Sequence, residues 1–132
     1  MSKISFDEMK EWPASWAGFP SDIACGKRLI EIMWPFVEEL TSAGYAKKTI
    51  KRHYDNLWVL GGFIIEKINY DKKLAKTEPA FLLSRYIDSM DGPLIHDFTE
   101  TEQRIFDSTC KKFYKYLVEN VLRNYLDNLS FE

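Results

Sequence analysis

The chain has 132 residues, of which 45% are hydrophobic and 29% are charged, and its net charge is −2. This length and apolar content favour one domain with a real hydrophobic core, and they exclude wholesale disorder. The small net charge excludes a global attraction to nucleic acid or to anionic membranes, so any such attraction has to come from local clusters of charge.

The cysteines and the hydropathy of the sequence indicate the cellular compartment in which the protein is expected. The two cysteines, Cys25 and Cys110, lie far apart in the sequence, which fits a reducing environment and argues against a disulfide framework. The first twenty residues contain acidic side chains and no apolar core of a secretory signal. No apolar run is long enough to span a bilayer. We therefore expect a cytoplasmic protein without a membrane partner.

Residues 1–20 are predicted to form an N-terminal arm. Ser5 and Glu8 have the spacing of a capping box, which predicts a two-turn helix from Phe6 to Trp12 that Pro13 ends. The arm also carries three large aromatic residues, Trp12, Trp16 and Phe19. The cost of exposing such rings favours packing onto the main body, and a partner-binding patch is the alternative.

The first long helix is predicted to follow Ser21, a suitable N-cap with Asp22 in the first turn. It should end at Gly44, which suits a left-handed cap. Pro35 lies inside this pattern and predicts a kink or a break near Trp34, because its ring removes one backbone hydrogen bond. The apolar residues at helical spacing are Leu29, Met33, Phe36, Val37 and Leu40.

The second long helix is predicted from Ala46 to Asn69. Its apolar stripe consists of Ile50, Tyr54, Leu57, Gly61, Ile64 and Ile68. A glycine on the buried stripe costs helix stability, and close approach of another helix is the simplest compensation. A phosphate-binding glycine loop is excluded at Gly61-Gly62, since no strand precedes it and the P-loop pattern is missing.

Two further helices complete the predicted fold. Thr77 caps one that runs to about Met90, and Thr99 with Glu102 forms a second capping box before the last helix. The predicted buried face of that last helix contains Phe106, Cys110, Phe113, Leu117, Val121, Tyr125 and Leu129. We predict an all-α fold with four main helices, organised as the arm at 1–20 and a single helical domain at 21–132.

Charge is unevenly distributed along the chain. Residues 41–76 hold eight basic and three acidic residues, and residues 77–110 hold two basic and seven acidic ones, which predicts a basic and an acidic side. Four cations begin the second long helix: Lys47, Lys48, Lys51 and Arg52. They oppose the helix dipole there, at a cost of a few tenths of a kcal/mol each. With Thr49, His53 and the free amides of a helix start they would suit a phosphate; a solvated charged face is the alternative.

A second basic group lies on the last helix. Its members are Lys111, Lys112 and Lys115. They alternate with aromatic residues and lie off the predicted buried stripe, as expected of a nucleic-acid surface. A solvated helix flank is the alternative interpretation.

The motifs of metal and catalytic sites are missing from the sequence. His53 and His96 are the only histidines, and we expect His53 to be a surface residue or a phosphate donor. His96 and Asp97 resemble half of a catalytic pair, but no activated serine or cysteine accompanies them. No zinc, calcium or metalloprotease spacing occurs. We therefore predict a non-enzymatic protein without cofactor or metal.

A pattern of residues links the end of the first long helix to the second. Its residues are Phe36, Leu40, Gly44, Tyr45, Thr49, Ile50, His53, Leu57 and Phe63. With this pattern the sequence resembles the N-terminal SAM-like, or core-binding, domain of tyrosine recombinases and phage integrases. The resemblance covers roughly residues 30–120, and the segment 110–120 is similar to the last helix of that domain.

The resemblance implies a compact orthogonal bundle of four helices that clamps one face of duplex DNA through two helices. Carried over to this sequence, the contacts would be Lys47, Lys48, Thr49, Lys51, Arg52, His53, Lys111, Lys112 and Lys115. The catalytic domain of the family would begin where this sequence stops, so no recombinase activity is implied.

Two functional hypotheses follow. The first is a DNA-binding module that contacts duplex phosphates through the basic start of the second long helix. The second is a helical module for protein interaction or self-association through the apolar C-terminal end, without nucleic-acid binding. That end contains Val121, Leu122, Tyr125, Leu126 and Leu129.

Overall fold

A computed structural model describes residues 4–125, and within them the chain is helical and contains no strand. The six α-helices are α1 (Phe6–Met9), α2 (Trp12–Trp16), α3 (Asp22–Ser42), α4 (Lys47–Tyr70), α5 (Pro79–Tyr86) and α6 (Glu100–Tyr116). A 3₁₀ helix at Lys72–Lys76 follows α4, and a π-helix at Leu117–Leu122 continues α6. The predicted all-α class is confirmed.

The helices divide into two compact units, Met1–Pro79 and Ala80–Glu132. The first unit contains α1 to α4 with the 3₁₀ helix, and the second contains α5, α6 and the π-helix. In the first unit α2 packs against both α3 and α4, so the predicted arm is part of its core. The organisation of residues 21–132 as one domain stays a prediction.

The N-terminal segment forms two short helices instead of one. Ser5 accepts a hydrogen bond from the amide of Glu8 at 3.1 Å, as expected, but α1 already ends at Met9. The prediction that Pro13 ends a helix is wrong. Pro13 lies in the first turn of α2, where the missing amide leaves no helical hydrogen bond unmade.

The three aromatic residues of this segment differ in burial. Trp12 is 6% exposed and belongs to the core, and Trp16 is half-buried. Phe19 is 53% exposed, and the Lys72 ammonium lies 4.5 Å from the centre of its ring. Packing onto the unit therefore accounts for the two tryptophans but not for Phe19.

Asp22 stabilises the turn that precedes α3, and the cap predicted at Ser21 is not made. Ser21 makes no side-chain capping bond, whereas one oxygen of the buried Asp22 carboxylate accepts the amides of Gly18 and Phe19, both at 2.9 Å. Pro35 is exposed and does not separate two helices, because α3 continues through it to Ser42. Gly44 follows with φ of 84°, the left-handed conformation that was predicted.

The apolar stripe of α4 is buried as predicted. Its members Ile50, Tyr54, Leu57, Gly61, Ile64 and Ile68 all lie in the core of the first unit. A Cβ atom on Gly61 would overlap the six-membered ring of Trp16. The close approach expected at this glycine is thus made by an indole of α2.

In the second unit α5 ends at Tyr86, four residues earlier than predicted. The Asp88 carboxylate accepts the amides of Met90 and Asp91 at 2.8 and 2.9 Å, and such a side-chain turn competes with helix continuation. The capping box of Thr99 and Glu102 is confirmed. Four residues of the predicted α6 face are buried, namely Phe106, Cys110, Phe113 and Leu117. Val121 and Tyr125 are half-buried, and Leu126 and Leu129 lie outside the described residues.

Candidate phosphate-binding surface

The start of α4 has no side-chain cap. Ala46 occupies the N-cap position with extended backbone, and its methyl group offers no hydrogen-bond acceptor. The first helical hydrogen bond runs from the Ile50 amide to the Ala46 carbonyl at 3.0 Å. The amides of residues 47–49 therefore have no intrahelical acceptor, and they form the positive end of the helix dipole.

Cations surround this helix start, and its first turn contains no acidic residue. Lys47, Lys48 and Arg52 are exposed. Lys51 is half-buried, and its ammonium contacts both carboxylate oxygens of Asp55 at 2.5 and 2.7 Å. The positive charge available to an anion therefore comes mainly from the other three cations, with Thr49 half-buried between them.

His53 does not belong to this surface. Its side chain is 4% exposed and lies on the core side of α4, so the expectation of a surface residue or phosphate donor is wrong. His53 follows Ile50 by three residues and precedes Leu57 by four, which is the spacing of one broad buried face. This spacing is present in the sequence, but the lysines and the arginine beside His53 led to the expectation of an exposed residue.

The basic group of α6 lines a groove in the second unit. Lys111 and Lys115 are exposed and Lys112 is half-buried. The groove has a volume of about 610 Å³, and Ser89, Ser108, Tyr114, Val118 and Glu119 complete its lining. The lining includes the first turn of the π-helix, where Val118 is 40% exposed. The groove is therefore lined by three lysines, by apolar and aromatic side chains, and by one acidic residue.

The predicted contacts thus form two groups in different units. The cations of α4 lie together on the first two turns of one helix, and the lysines of α6 lie together in one groove. Sequence analysis missed a pocket in the first unit that is lined by three aromatic rings and two carboxylates. Its residues come from three helices, and only Trp58, which lies on the flank of the predicted stripe of α4, could have indicated it.

Within residues 4–125 the structure gives little support for a catalytic site, a metal site or a membrane-spanning helix. His96 Nε2 lies 3.3 Å from Asp97 Oδ1, but the two side chains are 96% and 87% exposed. No group of three or more His, Cys, Asp or Glu residues in this part of the chain could hold a metal ion. Likewise, none of the described helices combines the length and the apolar character needed to cross a membrane.

Comparison with known proteins finds no match to this chain among family models, curated proteins or solved structures. The resemblance to integrase core-binding domains stays a prediction.

Proposed function

We propose that this protein is a non-enzymatic DNA-binding module that contacts duplex phosphates through the start of α4. The observation that carries the proposal is the exposure of Lys47, Lys48 and Arg52 around a helix start that has no side-chain cap. Free amides and three cations there attract the same ligand, a phosphate oxygen.

The cost of this arrangement supports a binding role. A cation near a helix N-terminus is unfavourable by about 0.3–1 kcal/mol, and an acidic residue in its place would be stabilising. The other long helix of the unit, α3, has Asp22 in its first turn, whereas the charged residues in the first turn of α4 are both lysines, Lys47 and Lys48. A ligand with negative charge offsets the cost at α4.

Contacts of this kind position a protein on DNA without reading its sequence. We therefore expect binding to any duplex, with affinity that falls steeply as salt is raised. Lys111, Lys112 and Lys115 supply a second group of phosphate contacts in this proposal. The experiment has to separate the two groups.

The test is binding to a random-sequence duplex between about 50 and about 200 mM salt, where each lost phosphate contact lowers the slope of log affinity against log salt by nearly one. The variant Lys47→Ala, Lys48→Ala, Arg52→Ala should flatten this slope. A matched control, Lys27→Ala, Lys73→Ala, Lys76→Ala, removes three other exposed cations of the same unit and should keep the slope. Equal slopes in the two variants would remove α4 as the site, and a third variant at the three α6 lysines tests the second group.

A second candidate function is self-association through the second unit. Among the described residues of that unit, four large apolar side chains are exposed: Phe81 at 40%, Met90 at 74%, Leu94 at 84% and Val118 at 40%. Burial of these side chains against a second copy would remove apolar surface from water, which favours association. Sedimentation velocity over a wide concentration range tests it. We expect association that Leu94→Ser with Val118→Ser abolishes, and a monomer at every concentration would exclude this candidate.

A further inference from the structure

A pocket of about 350 Å³ lies in the first unit between α1, α2 and α4. Rings of Trp12, Tyr54 and Trp58 line it together with the carboxylates of Glu8 and Asp55. Aromatic rings beside carboxylates are the surroundings that an organic cation prefers, because the ring faces and the carboxylates are both electron-rich.

The inner part of the pocket is fixed by packing and hydrogen bonds. The rings of Trp12 and Tyr54 lie 4.8 Å apart between centroids. The Tyr54 hydroxyl lies 3.1 Å from Glu8 Oε1 and 3.2 Å from the carbonyl of Ser5. Burial, with Glu8 beside it, raises the pKa of Tyr54 well above its usual range, so the phenol stays neutral and keeps this contact with Glu8.

Trp58 forms the outer wall, and it is held in place. Its indole N–H donates to the hydroxyl of the exposed Ser15 at 3.0 Å, and that hydroxyl donates to the Trp12 carbonyl at 2.7 Å. The backbone carbonyl of Trp58 accepts the indole N–H of Trp16 at 2.9 Å. Trp58 is nevertheless 44% exposed. Its one polar side-chain atom is already hydrogen-bonded, so a ligand would meet mainly ring carbon.

Core packing accounts for Trp12 and Tyr54, which are 6% and 1% exposed, but it does not account for Trp58. A rigid, exposed indole beside a carboxylate is the arrangement on which a planar cation stacks while it pairs with the acid. The molecule already places one of its own cations at this edge, since Lys51 pairs with Asp55. The negative charge of the pocket also disfavours phosphate, so this site and the proposed DNA surface are distinct.

We propose that the pocket binds an alkylguanidinium group, with the plane of the cation on Trp58 and its N–H groups on Asp55. Glu8 adds negative charge from the opposite helix. The ligand displaces the Lys51 ammonium from Asp55, so the lysine acts as a competitor within the protein. Removal of that competitor should strengthen binding, which an accidental contact with tryptophan would not do.

The test is titration of the full chain with methylguanidinium, followed by the ¹H–¹⁵N signals of the four tryptophan indoles, of which Trp58 is one. We expect a saturable shift of the Trp58 signal, and no saturable shift with methylurea, a neutral molecule of the same shape. Equal shifts from the two compounds would overturn the proposal. An arginine tripeptide that binds more tightly than methylguanidinium would identify a protein segment as the source of the group, and equal affinity would identify a free compound.

Variants of the ion pair test the predicted direction of the change in affinity. Asp55→Asn should weaken binding by about threefold, and Lys51→Met should strengthen it by a similar factor, as expected for one exposed ion pair. Glu66→Gln removes an exposed carboxylate elsewhere on α4 and should leave affinity unchanged. Trp58→Leu should abolish the response of the remaining indoles. If neither Asp55→Asn nor Lys51→Met changes affinity, the proposal is wrong. Asp55 is exposed, Lys51 is half-buried and neither belongs to the core, so this outcome does not depend on whether Trp58→Leu folds.

Discussion

The indole of Trp16 occupies the space into which a side chain on Gly61 would project. A Cβ atom at Gly61 would overlap three ring carbons of that indole, while the Trp16 N–H is held by the Trp58 carbonyl at 2.9 Å. The ring is thus fixed at both its polar and its apolar edge. The absence of a side chain at Gly61 is what lets α2 lie directly against α4.

Gly61→Ala should destabilise the first unit. An overpacked core costs about 1–3 kcal/mol, and overlap of the added Cβ with three ring carbons of Trp16 puts the cost at the upper end of that range. The gain in helix propensity is about 1 kcal/mol, which leaves a net loss of about 1–2 kcal/mol. All four tryptophans lie in the first unit, so their fluorescence in urea reports its unfolding. Gly62→Ala is the matched control, since its Cβ would stand 3.4 Å from the Trp16 ring. It should be neutral or stabilising, and equal effects at the two glycines would contradict the packing argument.

Asp22→Ala should also destabilise the first unit, by about 1–3 kcal/mol, because the amides of Gly18 and Phe19 lose their shared acceptor. Asp7→Ala is the control, since that carboxylate is 94% exposed and pairs only with the exposed Lys10. The measurement is again urea unfolding followed by tryptophan fluorescence. Similar losses in the two variants would show that the Asp22 hydrogen bonds contribute little.

The contribution of Asp22 to the free energy of unfolding should depend on pH. Burial by itself would raise the pKa of Asp22, but the amides of Phe19 and Gly18, the Asn69 side chain and the charge of Lys72 lower it overall. A carboxylate with a lowered pKa contributes stability above its unfolded pKa of about 3.9, and that contribution is lost as pH falls through the folded pKa. The difference in unfolding free energy between the wild type and Asp22→Ala should therefore be constant near neutral pH and shrink below about pH 4.

Cys110 should be unreactive in the folded protein. Its side chain is 0% exposed, and burial raises the pKa of the thiol far above its usual range, with Asp107, Asp91 and Asp88 adding to the effect. Since the thiolate is the reactive form, Ellman's reagent should modify one thiol of the native chain, the half-buried Cys25. In a Cys25→Ser variant we expect labelling only at the rate at which the second unit opens. Fast labelling of that variant without denaturant would contradict the burial of Cys110.

Periodicity predicted the two long helices and the buried faces of α4 and α6, because a core-facing stripe is a property of the helix itself. Short-range polar contacts were harder to predict. Ser21 does not cap α3, and Asp22 accepts amides of the preceding turn instead. Asp88 ends α5 early, because its side chain accepts amides that would otherwise continue the helix. His53 illustrates a second limit. The neighbouring basic residues led to the prediction that His53 is exposed. Its position on the buried face of α4 puts it in the core. The Trp58 pocket depends on contacts between α1, α2 and α4 that no single segment encodes.

Pro35 lies inside α3, although it was expected to kink or break that helix. The helix continues through Pro35, which is exposed, so the missing amide leaves the carbonyl of Glu31 without its helical donor. Glu31 is exposed as well, and water can replace that donor. Pro35→Ala should restore the hydrogen bond and relieve the clash of the ring, a gain of about 3 kcal/mol in helix propensity. This figure compares the helix with the unfolded chain, so it already includes the greater freedom that the unfolded chain gains when the proline is removed.

We therefore expect Pro35→Ala to raise the urea midpoint of the first unit. Pro20→Ala is the control with the opposite sign. Pro20 is exposed and precedes α3, so it restricts the unfolded chain without interrupting a helix. Its loss should lower stability by about 0.4–1 kcal/mol. If Pro35→Ala instead lowered the midpoint, the bend that proline imposes would itself be needed for α3 to pack against α2 and α4.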